Sequence, residues 1–266
     1  MNISFIGGGN MATALVAGLR NARPGRMEVR VADPSDEARK RMMREHGIEA
    51  FKSGRDAVAD ADVIVLAVKP QFMAAVLADL APVIEEGQLI LSIAAGTTVE
   101  NIQAAFGPEC PVIRAMPNTP ALIGHGICGL YASAHCRPHH REQAERIMRA
   151  AGEVVWIDDE NLMDVITAVS GSGPAYFFLL TEALAKAGSE LGLDDSDALR
   201  LAVHTAEGAG AMLARSGDSP AVLRQRVTSP NGTTQAAIES LEARGFVELV
   251  REAVVAATNR GRQLAG

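Results

Sequence analysis

The 266-residue sequence predicts an α/β protein in two parts, a parallel-sheet domain over residues 1–158 and an all-α domain over residues 159–266. Three observations predict it. Short β-rich runs alternate with helical patterns through the first part, the mark of parallel α/β structure. A glycine-rich turn, Gly7-Gly-Gly9, sits between the first such run and the first helical pattern. Beyond Asp158 the texture changes, and Ala-rich helical patterns replace the β-rich runs.

The elements follow in order. Strands are predicted over residues 3–6, 29–32, 63–67, 89–93 and 112–114, each a short apolar run bounded by turn residues. A further pair, 126–131 and 154–156, flanks a helical run over 141–150. Helices are predicted over 160–169, 174–191, 196–215, 234–243 and 246–263. Two of these, at Tyr176-Phe-Phe-Leu-Leu180 and at 250–257, are apolar on most faces and so must be buried on most faces. Packing onto the first domain would bury some of that surface. A dimer with interleaved helices accounts for more of it and is the favoured reading.

Composition narrows the function. The net charge is −7 and no basic tract exists, which argues against nucleic acid or an anionic membrane surface as a partner. Three cysteines, Cys110, Cys128 and Cys136, form no Cys-x-x-Cys pair and read as reduced thiols, with neither a disulfide framework nor a metal site. The first nineteen residues are uncharged, but no Lys or Arg precedes the apolar run and Gly7, Gly8 and Gly9 interrupt it, unlike a secretory leader. No stretch of about twenty apolar residues is seen that would span a bilayer. The expectation is a soluble, cytoplasmic protein.

Ile3-Ser-Phe-Ile-Gly-Gly-Gly-Asn-Met-Ala12 places Gly7-x-Gly9-x-x-Ala12 between a strand and a helix, the setting that a dinucleotide fingerprint requires. Gly7 makes the tight turn, Gly9 lets the backbone approach a pyrophosphate, and Ala12 permits close helix–strand packing. The first domain is therefore of Rossmann type. Asp33 ends the second strand, where an acid bonds the adenine ribose hydroxyls and repels a 2′-phosphate. Ser35 and Arg39 lie close by and could serve such a phosphate, so NADH and NADPH both stay open; Asp33-Pro34-Ser35 also reads as a turn and helix cap.

Ala67-Val-Lys-Pro-Gln71 follows the strand at 63–67, at the carboxyl edge of the sheet. Lys69, one of four lysines, gains interest from that position, although most lysines are simply surface residues. Arg114-Ala-Met-Pro-Asn-Thr-Pro120 is a second strand end with a Pro-braced loop. Its Asn118 and Thr119 suit a carboxamide such as that of nicotinamide, and a purely structural turn fits the spacing equally well. His139-His140, at the start of a polar helix, read as solvated, and His204 as a core or interface residue. No nucleophile–base set or paired carboxylate announces itself. Hydride transfer to an already protonated imine needs none, because positioning and charge complementarity supply most of the effect.

Near the C-terminal end, Pro230, Asn231 and Gly232 make a turn that feeds Thr233, Thr234 and an apolar-periodic helix. A turn opening into a helix presents free N–H groups and a positive dipole end, a seat for a small carboxylate.

Together these residues resemble the pyrroline-5-carboxylate reductase family over essentially the whole chain. The resemblance rests on Phe5-Ile-Gly-Gly-Gly-Asn-Met-Ala12, Ala67-Val-Lys-Pro-Gln71, Arg114-Ala-Met-Pro-Asn-Thr-Pro120, Ala168-Val-Ser-Gly-Ser-Gly-Pro-Ala-Tyr176 and Val227-Thr-Ser-Pro-Asn-Gly-Thr-Thr234. The last two are the specific ones. The resemblance implies reduction of L-1-pyrroline-5-carboxylate, a cyclic imino acid, to L-proline by NADPH or NADH, in a homodimer or a larger ring of dimers. It implies cofactor contacts from Ile6, Gly7, Gly9, Asn10, Met11, Asp33, Ser35, Ala67, Val68, Lys69, Pro70, Asn118 and Pro120. Ser229, Asn231, Gly232, Thr233 and Thr234 would hold the substrate, backbone amides around Gly232 and Thr233 taking its carboxylate. Thr234 corresponds to the threonine whose hydroxyl bonds the ring nitrogen and is the expected catalytic residue. Hydride would cross the gap between the two domains.

Two departures stand out. Asn231 replaces a glycine of the family's turn, and Asn tolerates left-handed φ better than other side chains. Gly54 stands where the family carries an asparagine that touches the cofactor ribose, so that contact is lost or taken over by Arg55. Two rivals are weaker. A β-hydroxyacid dehydrogenase resembles the same two-domain plan but needs a lysine where Phe177 stands, and a non-catalytic dinucleotide sensor needs no carboxylate seat.

Overall fold

The computed structural model describes residues 1–21 and 27–265. Eight strands form one sheet: β1 (Asn2–Ile6), β2 (Glu28–Ala32), β3 (Glu49–Phe51), β4 (Val63–Leu66), β5 (Leu89–Ser92), β6 (Val112–Met116), β7 (Gly126–Ala132) and β8 (Gly152–Ile157), in the order β3-β2-β1-β4-β5-β6-β7-β8. Helices α1 (Asn10–Asn21), α2 (Asp36–His46), α3 (Gly54–Ala57), α4 (Pro70–Leu80), α5 (Val99–Phe106) and α6 (Pro138–Met148) make the crossovers. β4 shows why its sequence is apolar without alternation. Val63 and Val65 enter one core cluster, Ile64 and Leu66 the other, so both sheet faces are covered.

Every predicted strand is present, and the sheet is parallel at every junction but one. β6 and β7 pair antiparallel, with Ile113 opposite Ala132 and Met116 opposite Gly129. The connection between them is a short 3₁₀ segment, Thr119–Ile123, too brief for the crossover a parallel pair requires. β3, absent from the sequence reading, has only three residues, Glu49-Ala-Phe51, at the sheet's edge.

After β8 the described residues hold no further strand. The run predicted over 160–169 resolves into a 3₁₀ turn (Glu160–Leu162), α7 (Met163–Ile166) and a π-turn (Thr167–Gly171). Then come α8 (Gly173–Glu190), α9 (Asp195–Arg215), α10 (Pro220–Arg226), α11 (Thr233–Ala243) and α12 (Phe246–Ala265). α10 was not expected. The chain divides into two compact units, Met1–Ser172 with Ala257–Gly266, and Gly173–Ala256.

The second unit buries little of its own surface. Phe177, Phe178 and Leu179 on α8 are 64%, 68% and 66% exposed, and Val247 on α12 is 70% exposed. The helical run Glu160–Glu190, at mean hydropathy 1.2, is long and apolar enough by length and composition alone to cross a membrane. The π-turn joins stretches that the Ser170-Gly-Ser-Gly173 break had separated. Asp164, Glu182 and Lys186 lie along it, and ionisable groups are costly in hydrocarbon.

Candidate active site

The glycine turn is built around one steric necessity. Gly7 adopts φ +106°, and a Cβ there would stand 2.6 Å from the Ala67 carbonyl oxygen, so neither conformation nor space admits a side chain. Its N–H donates to Ala32 O at 2.7 Å, while Ala67 N–H donates to Ile6 O at 2.8 Å, which ties the turn to both neighbouring strands. Gly8 N–H donates to Asp33 Oδ2 at 2.8 Å, and Ser35 N–H donates to Asp33 Oδ1 at 2.8 Å. Gly9 is different: a Cβ there would meet nothing within 4 Å. The backbone is thus open to a ligand where Asn10 and Met11 head α1, whose first-turn N–H groups and dipole favour a pyrophosphate.

This turn lies at the sheet's switch point, where β1 sits between β2 and β4. A cleft of about 490 Å³ opens there. Ile6, Gly7, Gly9, Asp33, Ala67, Val68 and Lys69 line it together, as the sequence reading expects. Asn10, Met11, Ser35, Pro70, Asn118 and Pro120 do not line it. Ser35 caps α2, accepting from Ala38 N–H at 3.3 Å, and Pro70 is the first residue of α4 behind Lys69. Arg39 is engaged: its guanidinium donates to the carbonyls of Asp33 and Pro34 at 2.7 and 2.9 Å and to Asp36 at 3.1 Å. It is not free for a 2′-phosphate in this arrangement.

Phe72, Val76 and Leu80 line the same cleft and were missed. Their signal was available, because positions 72, 76 and 80 repeat every four residues and share one face of α4. Gly54 also lines the cleft, and a Cβ there would press on Leu80 Cδ2 at 3.1 Å. Arg55 does not replace the missing asparagine, since its Nε donates to Asp79 Oδ1 at 2.8 Å on the rim.

Asn118 lies at the end of β6, 8% exposed, with both ends of its amide engaged. Its Nδ2 donates to Ser170 O at 3.1 Å and its Oδ1 accepts from Ile127 N–H at 3.0 Å. Asn118 thus ties the strand end to the π-turn. Nearby, buried Arg114 pairs with Glu160 at 2.6 Å, and the same carboxylate oxygen accepts from Val99 N–H at 2.9 Å. One acid therefore fastens β6, the start of α5 and the beginning of the helical run.

In the second unit the predicted turn ahead of α11 is formed. Asn231 adopts φ +60°, as its tolerance for left-handed backbone implies. Gly232 N–H donates to Ser229 O at 3.0 Å and closes the turn. A Cβ on Gly232 would stand 2.6 Å from Ser229 Oγ. Asn231 N–H donates to Gln235 Oε1 at 2.7 Å. Gly232's amide is therefore engaged, and the donors left open move one residue on: no side chain caps α11, which begins with Thr233 and Thr234.

The histidines need one correction. His140 is buried, 4% exposed, because the third position of α6 turns its ring back to accept Arg137 N–H at 3.1 Å on Nδ1. Burial, with His139 beside it, pushes its pKa down. His204 is exposed on α9 and contacts Glu207 at 3.2 Å rather than entering this chain's core.

A Rossmann-type sheet with a glycine-lined cleft at its switch point, followed by a helical region, defines a nicotinamide-dinucleotide oxidoreductase. Residues 2–96 match the family model described as NADP oxidoreductase coenzyme F420-dependent, and residues 160–264 match pyrroline-5-carboxylate reductase dimerisation. A pyrroline-5-carboxylate reductase of Pseudomonas aeruginosa is 50% identical over 99% of this chain and 96% of its own length. The structure of a pyrroline-5-carboxylate reductase from Coxiella burnetii superposes with TM-score 0.94 at 40% identity, covering 100% and 98% of the two chains. That of Plasmodium falciparum pyrroline carboxylate reductase with NADP bound gives TM-score 0.85 at 28% identity, covering 100% and 98%. The chain belongs to the pyrroline-5-carboxylate reductase family.

Proposed function

We propose that this chain reduces L-1-pyrroline-5-carboxylate to L-proline with NAD(P)H, the last step of proline biosynthesis, as its family membership supports. The observation that carries the substrate assignment is the Ser229–Gly232 turn opening into an uncapped α11. Its donors suit one small carboxylate. The N–H groups of Thr233 and Thr234 hold that carboxylate, Ser229 and Asn231 shape the turn, and Gly232 leaves room by lacking a side chain. The Thr234 hydroxyl orients the ring nitrogen, which keeps its proton while the imine carbon is reduced. When bound, the cofactor supplies the hydride. Residues 1–158 hold it, through Ile6, Gly7, Gly9, Asn10, Met11, Asp33, Ser35, the 67–70 loop, Asn118 and Pro120, of which Ile6, Gly7, Gly9, Asp33 and Ala67–Lys69 line the cleft.

Residues 159–266 form the substrate-binding and dimerisation domain, and the exposed apolar faces of α8 and α12 support a homodimer. A ring of dimers and a cytoplasmic site of action belong to the same proposal. The deciding experiment follows nicotinamide absorbance with pyrroline-5-carboxylate, running NADH and NADPH in parallel. Proline formation establishes the reading; a folded protein that binds cofactor and turns nothing over defeats it. Thr234→Ala is expected to lower kcat about tenfold to a hundredfold, in line with loss of one positioned hydrogen bond. NADH affinity, read by fluorescence, should be unchanged, and an unaltered kcat removes Thr234 from the chemistry.

A further inference from the structure

Arg41, on the inner side of α2, is absent from every motif discussed above, yet it reaches the glycine turn. Its Nη2 donates to the Gly8 carbonyl at 2.6 Å. The Gly8–Gly9 peptide is trans, as are all those described, so its N–H points opposite to its C=O. With the carbonyl held by Arg41 and the Gly8 N–H held by Asp33, the Gly9 N–H faces away from α2. Gly9 itself lines the cleft. The guanidinium is half-buried, its Nε is buried without a hydrogen-bond partner, and it forms no ion pair among the described residues. The two acids four residues before and after it on α2, Glu37 and Glu45, form no ion pair with it among the described residues, and Glu45 pairs with Arg44 instead. A positive charge thus stands behind the turn without a counter-ion of its own.

We propose that Arg41 is a positioning residue for the dinucleotide's pyrophosphate: it fixes the Gly8–Gly9 peptide with its N–H toward the anion and backs that peptide with charge. The inference rests on the dinucleotide reading of the cleft. The test measures binding of ADP-ribose and of adenosine by calorimetry to wild type, Arg41→Met, Arg41→Gln and Arg41→Lys, with Tm taken for each. Arg41→Met should weaken ADP-ribose about tenfold, the scale of one charge-assisted hydrogen bond, and leave adenosine within about twofold. Arg41→Lys should recover most of the loss, and Arg41→Gln, a neutral donor, should fall between. Equal weakening of both ligands, or a lower Tm with ADP-ribose affinity unchanged, overturns the inference by reducing Arg41 to a packing role. If wild type fails to bind ADP-ribose, the dinucleotide reading itself fails and takes the inference with it.

Discussion

Asp33 accepts one main-chain hydrogen bond on each carboxylate oxygen, has no cation paired to that carboxylate among the described residues, and lines the cleft. A carboxylate so placed accepts from ribose hydroxyls and repels a 2′-phosphate. Asp33→Ser should therefore raise the ratio of kcat/KM for NADPH over NADH by about tenfold, equivalent to ~1.4 kcal/mol. A ratio that stays put would mean that another group reads the ribose. The thiols make a second residue-scale prediction. Burial, with Cys136 nearby, pushes the Cys110 thiol up to about 11. Its folded pKa lies above the ordinary value, so the protonated form persists through neutral pH. Alkylation at Cys110 should be slow at pH 8 and accelerate toward pH 11, as mass spectrometry of trapped samples would show. At this scale the sequence was legible where a residue acts through its type. Gly7, Asp33 and Asn231 each have a chemistry that few substitutes share. Arg41 was not legible, because its partner is a backbone carbonyl, which leaves no mark in the sequence.

Among elements, the strands were readable because a sheet covered on both faces demands unbroken apolar runs, as in Val63-Ile-Val-Leu66. The reversal at β7 was not. Strand direction depends on how far the connection must travel, and Pro117 and Pro120 announce a turn without its destination. The π-turn at Thr167–Gly171 was likewise hidden, since its one-residue widening is stabilised by Asn118, some fifty positions away in the chain. Glu160 is the element-scale fastener: its loss would leave the buried Arg114 guanidinium without a counter-charge and α5 without its bond at Val99. Glu160→Ala should cost about 3 kcal/mol in urea unfolding, the scale of breaking a largely buried pair from one side. A cost under about 1 kcal/mol would show that water or a neighbour compensates, as at an exposed pair.

Over the whole molecule, apolar periodicity foretold surface that one chain cannot hide, and α8 bears this out with Phe177, Phe178 and Leu179 in the open. Patches of that kind mark association sites. Phe178→Glu and Leu179→Glu together should shift sedimentation from a dimer to a monomer and abolish turnover, while far-ultraviolet circular dichroism stays helical. A variant that remains dimeric would place the interface elsewhere.

Residues 257–265 group with the sheet-bearing unit, where Gly261 lies so close to Asp164 that a Cβ would sit 2.9 Å from its Oδ1. The helices between Gly173 and Ala256 are, in chain topology, an insertion. Vectorial synthesis meets this arrangement awkwardly. A nascent chain exposes all eight strands early, yet the segment that seats beside Asp164 leaves the ribosome only after the entire inserted unit. The first unit therefore stays without its last segment while the exposed apolar faces of α8 and the start of α12 emerge.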